Sequence, residues 1–303
     1  MASFPSIQIT EGEWTSGKYW DILGVKVTTF FTDNPALLAD YISNFETRPD
    51  DVFVVSYPKS GTTWVQEIVW QIYNEGAISS AKLLFRFPFL EARACNADEE
   101  LLIDFKSLPS PRLIKSHLTY STIPKSTDKA AQCKYIYVAR NPKDVAVSYF
   151  HFMEHWKKVG LDDFSGPSWE FCCKLFIEGN VGYDFWNDHV LDWWKHKDDP
   201  NVLFLKYEDL HKDLPSHVRM IANFLNKPLS DELITRIAEQ CTFKGMKDNE
   251  VSYRREENHS SPLLRKGEVG GWKSYFTPEM NERFDKELLA KLKGTGLEFD
   301  FEK

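Results

Sequence analysis

Short runs of β-branched and aromatic residues alternate along the chain with stretches of helical periodicity. Residues 51–57, Asp51-Val52-Phe53-Val54-Val55-Ser56-Tyr57, form an apolar run of strand formers with the pattern of a strand buried on both faces. Pro58-Lys59-Ser60-Gly61 interrupts it, and apolar residues then recur at helical spacing from Thr62 to Tyr73. Three similar runs follow at 112–117, 135–140 and 202–207. The second of these leads into Asn141-Pro142-Lys143-Asp144, which opens a helix through Ser148 towards Trp156, and the third into helices that reach Gln240. Within residues 1–48, an amphipathic stretch, Asn34-Pro35 starts a short helix. Residues 247–271 are polar and rich in Arg, Glu and Ser, and read as a long surface loop. Strands alternating with helices predict an α/β fold with a central parallel sheet and helices on both faces, while length alone gives a prior of about two domains.

In such a sheet, ligands bind at the carboxyl ends of the strands. Lys59, Lys115, His117, Arg140 and Tyr207 all fall at those ends, so a shared site is expected there.

Composition narrows the class. With 303 residues, 42% hydrophobic and 27% charged, the chain is neither disordered nor collagen-like, and it shows no internal repeat. The net charge of −8 argues against general binding to nucleic acid or anionic membrane, so any anionic ligand must be held by a local group of cations. The five cysteines lack C-x-x-C spacing and read as reduced thiols, Cys172-Cys173 included. The N-terminal stretch has no secretory pattern and no apolar run is long enough to span a bilayer, so a cytoplasmic location is expected and the sequon Asn258-His259-Ser260 stays unmodified.

The strongest chemical signal is Tyr57-Pro58-Lys59-Ser60-Gly61-Thr62-Thr63-Trp64. A glycine turn before a helix start lets amides, hydroxyls and a lysine converge on a phosphate. The Walker A order is absent, because Lys59 precedes the glycine. With Lys115-Ser116-His117, Arg140 to Ser148, and Arg265-Lys266-Gly267 in the same order and spacing, the chain resembles the cytosolic sulfotransferases over nearly its whole length.

That resemblance implies one domain over residues 1–303 with a P-loop-like central sheet, and sulfuryl transfer from 3′-phosphoadenosine 5′-phosphosulfate (PAPS), leaving adenosine 3′,5′-bisphosphate (PAP), to a small hydroxyl or amine acceptor, with no metal. It assigns Lys59, Ser60, Gly61, Thr62, Thr63 and Trp64 (loop 57–64) to the 5′-phosphosulfate end. Arg140 and Ser148 (segment 140–148) and Arg265, Lys266 and Gly267 (segment 263–267) take the 3′-phosphate. Trp64 and Phe243 stack on adenine, and Tyr207 and Thr242 contact the adenosine. Cys241 stands where relatives carry Thr, with the loss of a hydroxyl donor. His117 becomes the general base, Lys59 the cation at the leaving phosphate, and Lys115 the stabiliser of the transferring group. Lys115 and His117, two apart on one strand, share a face. Phe89 and Phe152 join Lys115 and His117 at the acceptor, an aromatic lining that suits a phenol first and a hydroxysteroid second. Ser148 is also implied to restrain Lys59 until an acceptor arrives. His151-Phe152-Met153-Glu154-His155 matches an inverted zinc-peptidase pattern, but it lacks an evident third ligand. Residues 273–282 resemble the family's dimer motif with Pro278 in place of Val, and Pro removes a backbone donor. The competing readings are a P-loop nucleotide kinase and a non-catalytic nucleotide-binding protein.

Overall fold

The computed structural model describes residues 4–92, 104–128, 131–158, 168–249 and 264–302, with backbone only at 156 and 158. Its first strands are antiparallel. Ser6–Ile7 (β1), Tyr19–Ile22 (β4) and Val25–Thr28 (β5) form one small sheet, and Thr10–Glu11 (β2) pairs with Trp14–Thr15 (β3). The β4–β5 turn takes Leu23 and Gly24 through positive φ, +56° and +80°, the geometry that keeps a two-residue hairpin in step with strand twist. Sequence periodicity showed only an amphipathic stretch here, because two-residue strands carry almost no pattern.

Helix α1 (Pro35–Ser43) begins as expected: Asn34 Oδ1 accepts from the Leu37 amide at 3.0 Å. The central sheet follows, built from Val52–Val55 (β6), Leu113–Ser116 (β7), Lys134–Ala139 (β8) and Val202–Lys206 (β9). All are parallel, in the order β7-β6-β8-β9. Alternation along β6 sorts the core into two layers. Val52 and Val54 face the layer of Val65, Ile68 and Val69 from α2 (Thr62–Tyr73), whereas Phe53 and Val55 face the other layer. Short α3 (Leu83–Arg86) leads towards β7. The second layer takes residues from α4 (Pro142–Lys158), α5 (Trp169–Ile177) and α6 (Trp186–Trp194). The first takes α7 (Tyr207–Lys212), α8 (Leu214–Phe224), α9 (Asp231–Gln240) and α10 (Phe243–Asp248). The last helix, α11 (Pro278–Glu287), returns to the α4 side, with Phe284 buried beside Phe176. The α/β architecture is as the sequence predicts. The loop at 247–271 begins as the end of α10, and both the sequon and residue 263 lie outside the described residues.

Register positions the site. Val55 pairs with both Ser116 and Tyr137, so the next residues, Ser56 and His117, emerge side by side at the carboxyl edge. Among the described residues no helix is long and apolar enough to cross a membrane.

Candidate active site

The turn after β6 is built from two left-handed residues, Lys59 at φ +71° and Gly61 at φ +108°. A Cβ at position 61 would lie 2.8 Å from the Tyr207 ring, so glycine is demanded by conformation and by the neighbour. Lys59 has no such freedom and carries the backbone strain of a non-glycine residue, of order 1 kcal/mol. Gly61 caps α2 without a side chain, which leaves the first-turn amides at Thr62 and Thr63 without a side-chain partner. Ser60 Oγ and Arg140 Nε are buried without hydrogen-bond partners among the described residues. Such groups are what phosphate oxygens would satisfy, so the cradle fits the phosphosulfate nucleotide. The Thr62 hydroxyl is committed elsewhere, 2.5 Å from Ser56 Oγ.

Four chain segments bring their cations together. Burial, then Lys115, Arg140 and Arg265, push the Lys59 ammonium down to about 7. Lys59 Nζ rests 4.3 Å from the centre of the Phe152 ring, one turn along α4 from Ser148, which the structure places half-buried on the same helix face.

Lys115 and His117 both meet Phe89: the ammonium lies 4.1 Å from the ring centre, and the imidazole is edge-on at 5.3 Å. His117 Nδ1 is 2.7 Å from the Ser56 carbonyl oxygen. A carbonyl only accepts, so Nδ1 carries the proton and Nε2 keeps its lone pair. Burial first, then Lys115, holds the imidazole well below its ordinary range, hence neutral near neutral pH. Tyr183 closes its other side at 5.3 Å. Tyr183 and Asp184 are consecutive left-handed residues at φ +68° and +59°, clamped by Lys26: its amide donates to Asp184 Oδ2 at 2.8 Å and its carbonyl accepts from the Tyr183 amide at 2.7 Å. Phe31 stands edge-on to Phe89 at 5.0 Å. Of the other aromatics near the motif, Phe87 lies in the core, Tyr149 OH accepts from the Gly182 amide at 3.1 Å, and Phe85 is exposed.

At the opposite end, Arg140 stacks over the Tyr207 ring at 4.3 Å, and its guanidinium donates to the Glu268 carbonyl at 2.7 Å. Arg265 and Lys266 are exposed, next to Gly267 at φ +66°, where a Cβ would strike the Phe243 ring at 2.3 Å. Trp64 Nε1 donates to the Cys241 carbonyl at 2.7 Å, which ties the indole to the start of α10. The Cys241 thiol itself is buried in the apolar core and held well above its ordinary range by that burial. The Cys-for-Thr exchange therefore acts inside the core, and the backbone carbonyl is what position 241 presents. Thr242 uses its hydroxyl as the α10 cap, accepting from the Gly245 amide at 3.1 Å, with Phe243 exposed beside it.

The motif 140–148 divides into two jobs that its sequence does not separate. Arg140 and Ser148 border the site, whereas the residues between them anchor the C-terminal segment. Lys143 Nζ donates to Asn281 Oδ1 at 2.7 Å and pairs with Asp285. Asp144, buried, accepts from the amides of Gly270 at 2.8 Å and Trp272 at 3.0 Å. These two bonds fasten the loop carrying Arg265 to the helix carrying Ser148. Asp144→Asn keeps the size but loses an acceptor, so PAP affinity is expected to fall about tenfold with little change in acceptor KM. Calorimetric titration with PAP checks this, and an unchanged Kd would show that the loop is fastened elsewhere.

His151 Nε2 lies 2.6 Å from Tyr275 OH and Nδ1 lies 3.2 Å from Glu154. Among the described residues no three His, Cys, Asp or Glu side chains are gathered as a metal site. Pro278 sits at the first turn of α11, after the capping Thr277, where a helical N–H has no partner in any case. The substitution thus costs the helix nothing.

Sequence reasoning missed Phe31, Tyr183 and Glu91, which accepts from the His117 amide at 2.6 Å, and it placed Asp144 in a motif without its anchoring role. Of the three missed residues Glu91 left a trace, a lone acid closing the apolar stretch Phe87-Pro88-Phe89-Leu90.

Cations converging on a helix start call for a polyanionic nucleotide, and a neutral imidazole on the adjacent strand calls for a proton to be taken. Together these define a nucleotide-dependent group-transfer enzyme. Residues 49–296 match the sulfotransferase domain model. The chain is 41% identical to sulfotransferase 1B1 of Canis lupus familiaris over 267 residues, 85% of this chain and 88% of that one. Mouse sulfotransferase SULT7A1, solved with PAP, superposes with a TM-score of 0.72 at 34% identity, covering 90% of this chain and 93% of that one. Retinol dehydratase, solved with androsterone and PAP, superposes at 0.78 with 28% identity, covering 98% and 92%. The chain belongs to the sulfotransferase family, and it is a PAPS-dependent sulfotransferase.

Proposed function

We propose that this enzyme sulfates a small phenolic hydroxyl, with His117 Nε2 as the base. When bound, PAPS supplies the activated sulfuryl group and a phosphate leaving group. His117 then takes the acceptor proton, Lys59 offsets charge building on the leaving oxygen, and Lys115 holds the transferring group. Ser60, Thr63 and the turn amides seat the 5′ end; Arg140, Ser148, Arg265, Lys266 and the Gly267 turn seat the 3′-phosphate. Trp64, Tyr207, Thr242 and Phe243 border the adenosine. The reading extends to one domain over residues 1–303, a cytoplasmic location, and a homodimer through 273–282.

The observation that carries the phenolic assignment is the aromatic lining of the acceptor face, where Phe89 and Tyr183 pack on the His117 imidazole at 5.3 Å each and Phe152 lies under Lys59, and the lowered basicity of His117 agrees with it. A weak base transfers a proton best from an acidic hydroxyl. A phenol, with a pKa of about 10, suits it far better than an aliphatic alcohol. The rings of Phe89, Tyr183 and Phe152 around the imidazole and Lys59 suit a flat acceptor. A hydroxysteroid is the second reading, supported by the likeness to a protein solved with androsterone.

A panel of 1-naphthol, androsterone and 2-naphthylamine with PAPS tests the choice. The phenol is expected to lead in kcat/KM by at least about tenfold. A lead for androsterone or for the amine would reject the phenolic assignment.

A further inference from the structure

We propose that Glu91 is the residue that positions the base, its carboxyl oxygen fixing the main chain of His117 and the ring packed against it. This rests on the reading of His117 as the base. β7 ends at Ser116, so the His117 amide has lost its sheet partner. Glu91, fully buried in the tight turn Leu90–Ala92, fills that gap: Oε1 accepts from the His117 amide at 2.6 Å. On the other side, the His117 carbonyl accepts from His189 Nε2 at 2.7 Å, and Tyr137 OH is 2.9 Å from His189 Nδ1. Both peptide groups of the base are therefore held by buried side chains rather than by the sheet. The same Glu91 Oε1 accepts from Tyr183 OH at 3.3 Å, and the Tyr183 ring packs on the His117 imidazole at 5.3 Å. One oxygen thus fixes the backbone that carries the imidazole and the ring that sets its tilt.

Burying a carboxyl is costly unless its hydrogen bonds are specific, and here the donors to Oε1 include the His117 amide and Tyr183 OH, while Oε2 is buried without a hydrogen-bond partner among the described residues. Burial raises Glu91 to about 7, so the charge is weakly held, and the role falls on the accepting oxygen and its reach.

Reach and charge separate cleanly in two variants. Glu91→Gln keeps the length and a carbonyl oxygen but carries no charge, whereas Glu91→Asp keeps the charge but is one methylene short. If Glu91 positions the base, Glu91→Gln retains kcat for 1-naphthol within about threefold. Glu91→Asp loses about thirty- to a hundredfold, because a displacement near 1 Å costs that order. PAP affinity, measured calorimetrically, stays within about twofold in both variants. The nitrogen resonances of the His117 ring shift in Glu91→Asp and not in Glu91→Gln. An active Asp variant with an inactive Gln variant overturns the proposal in favour of a charge. Wild-type kcat in both, or loss of PAP affinity alongside kcat, overturns it as well. His117→Ala is assayed in parallel. If that variant is inactive while Glu91→Asp is normal, only the Glu91 inference falls; if it is active, the base assignment falls and takes the inference with it.

Discussion

Replacement of His117 by Ala is expected to lower kcat for a phenolic acceptor by about 10³-fold near neutral pH, roughly 4 kcal/mol of barrier. The reason is local. Nδ1 is tied to the Ser56 carbonyl at 2.7 Å, so Nε2 is the nitrogen left to receive a proton, and the ring shares its Phe89 contact with Lys115. PAP affinity should stay within about twofold, because the imidazole bonds to the Ser56 carbonyl whereas the anionic end of the ligand meets Lys59 and its neighbouring cations. A steady-state assay beside a PAP titration reads both quantities. Turnover within tenfold of wild type would remove His117 from proton transfer, and a joint loss of turnover and PAP binding would mark it as structural. Since its pKa is pushed down from about 6.5, the base is already deprotonated at neutral pH. Raising the pH further should therefore bring no gain in kcat from this group.

Lys59→Met is the second large effect, expected to cost about 10²- to 10³-fold in kcat through loss of the charge facing the leaving phosphate. It should also change the pH dependence of binding, and the sign follows from its surroundings. In the free protein, burial and three other cations lower Lys59 to about 7. Bound phosphate supplies the opposite charge and moves it back up, so binding above pH 7 takes up a proton. Affinity for PAP is therefore greatest below about 7 and falls as pH rises from there, by up to about tenfold per unit. The unfolded chain holds this proton up to its ordinary value, whereas the free folded protein has released it, so stability without nucleotide rises with pH across the same window. Calorimetry near pH 8 in two buffers of different ionisation enthalpy measures the uptake, close to one proton in the wild type and none in Lys59→Met. Equal uptake in both would assign the proton to another group.

Much of this was readable from residue order, and the parts that were not have a physical cause. The four strands, the helix at 62–73 and the glycine turn between strand and helix are local patterns, and the structure has them within a residue or two of the sequence reading. Lys115 and His117 share a face because strand period is local as well, and both meet Phe89. By contrast, the motif from Arg140 to Ser148 reads as one phosphate-binding block, although Lys143 and Asp144 spend their side chains on a segment more than a hundred residues away. Cys241 reads as a missing hydroxyl, yet its thiol turns into the core.

Residue order by itself determined the strand ends, the left-handed turn and which chemical groups stand at the sheet edge, since each depends on neighbours a few residues apart. Only the tertiary structure decided which of those groups meet. Lys59 loses basicity because the fold buries it and brings cations from three distant segments around it, and His117 has its proton on Nδ1 because the register of two parallel strands sets it beside Ser56. Hydrogen-bond partners and electric fields are set by distance in space, and a linear pattern carries no record of that distance.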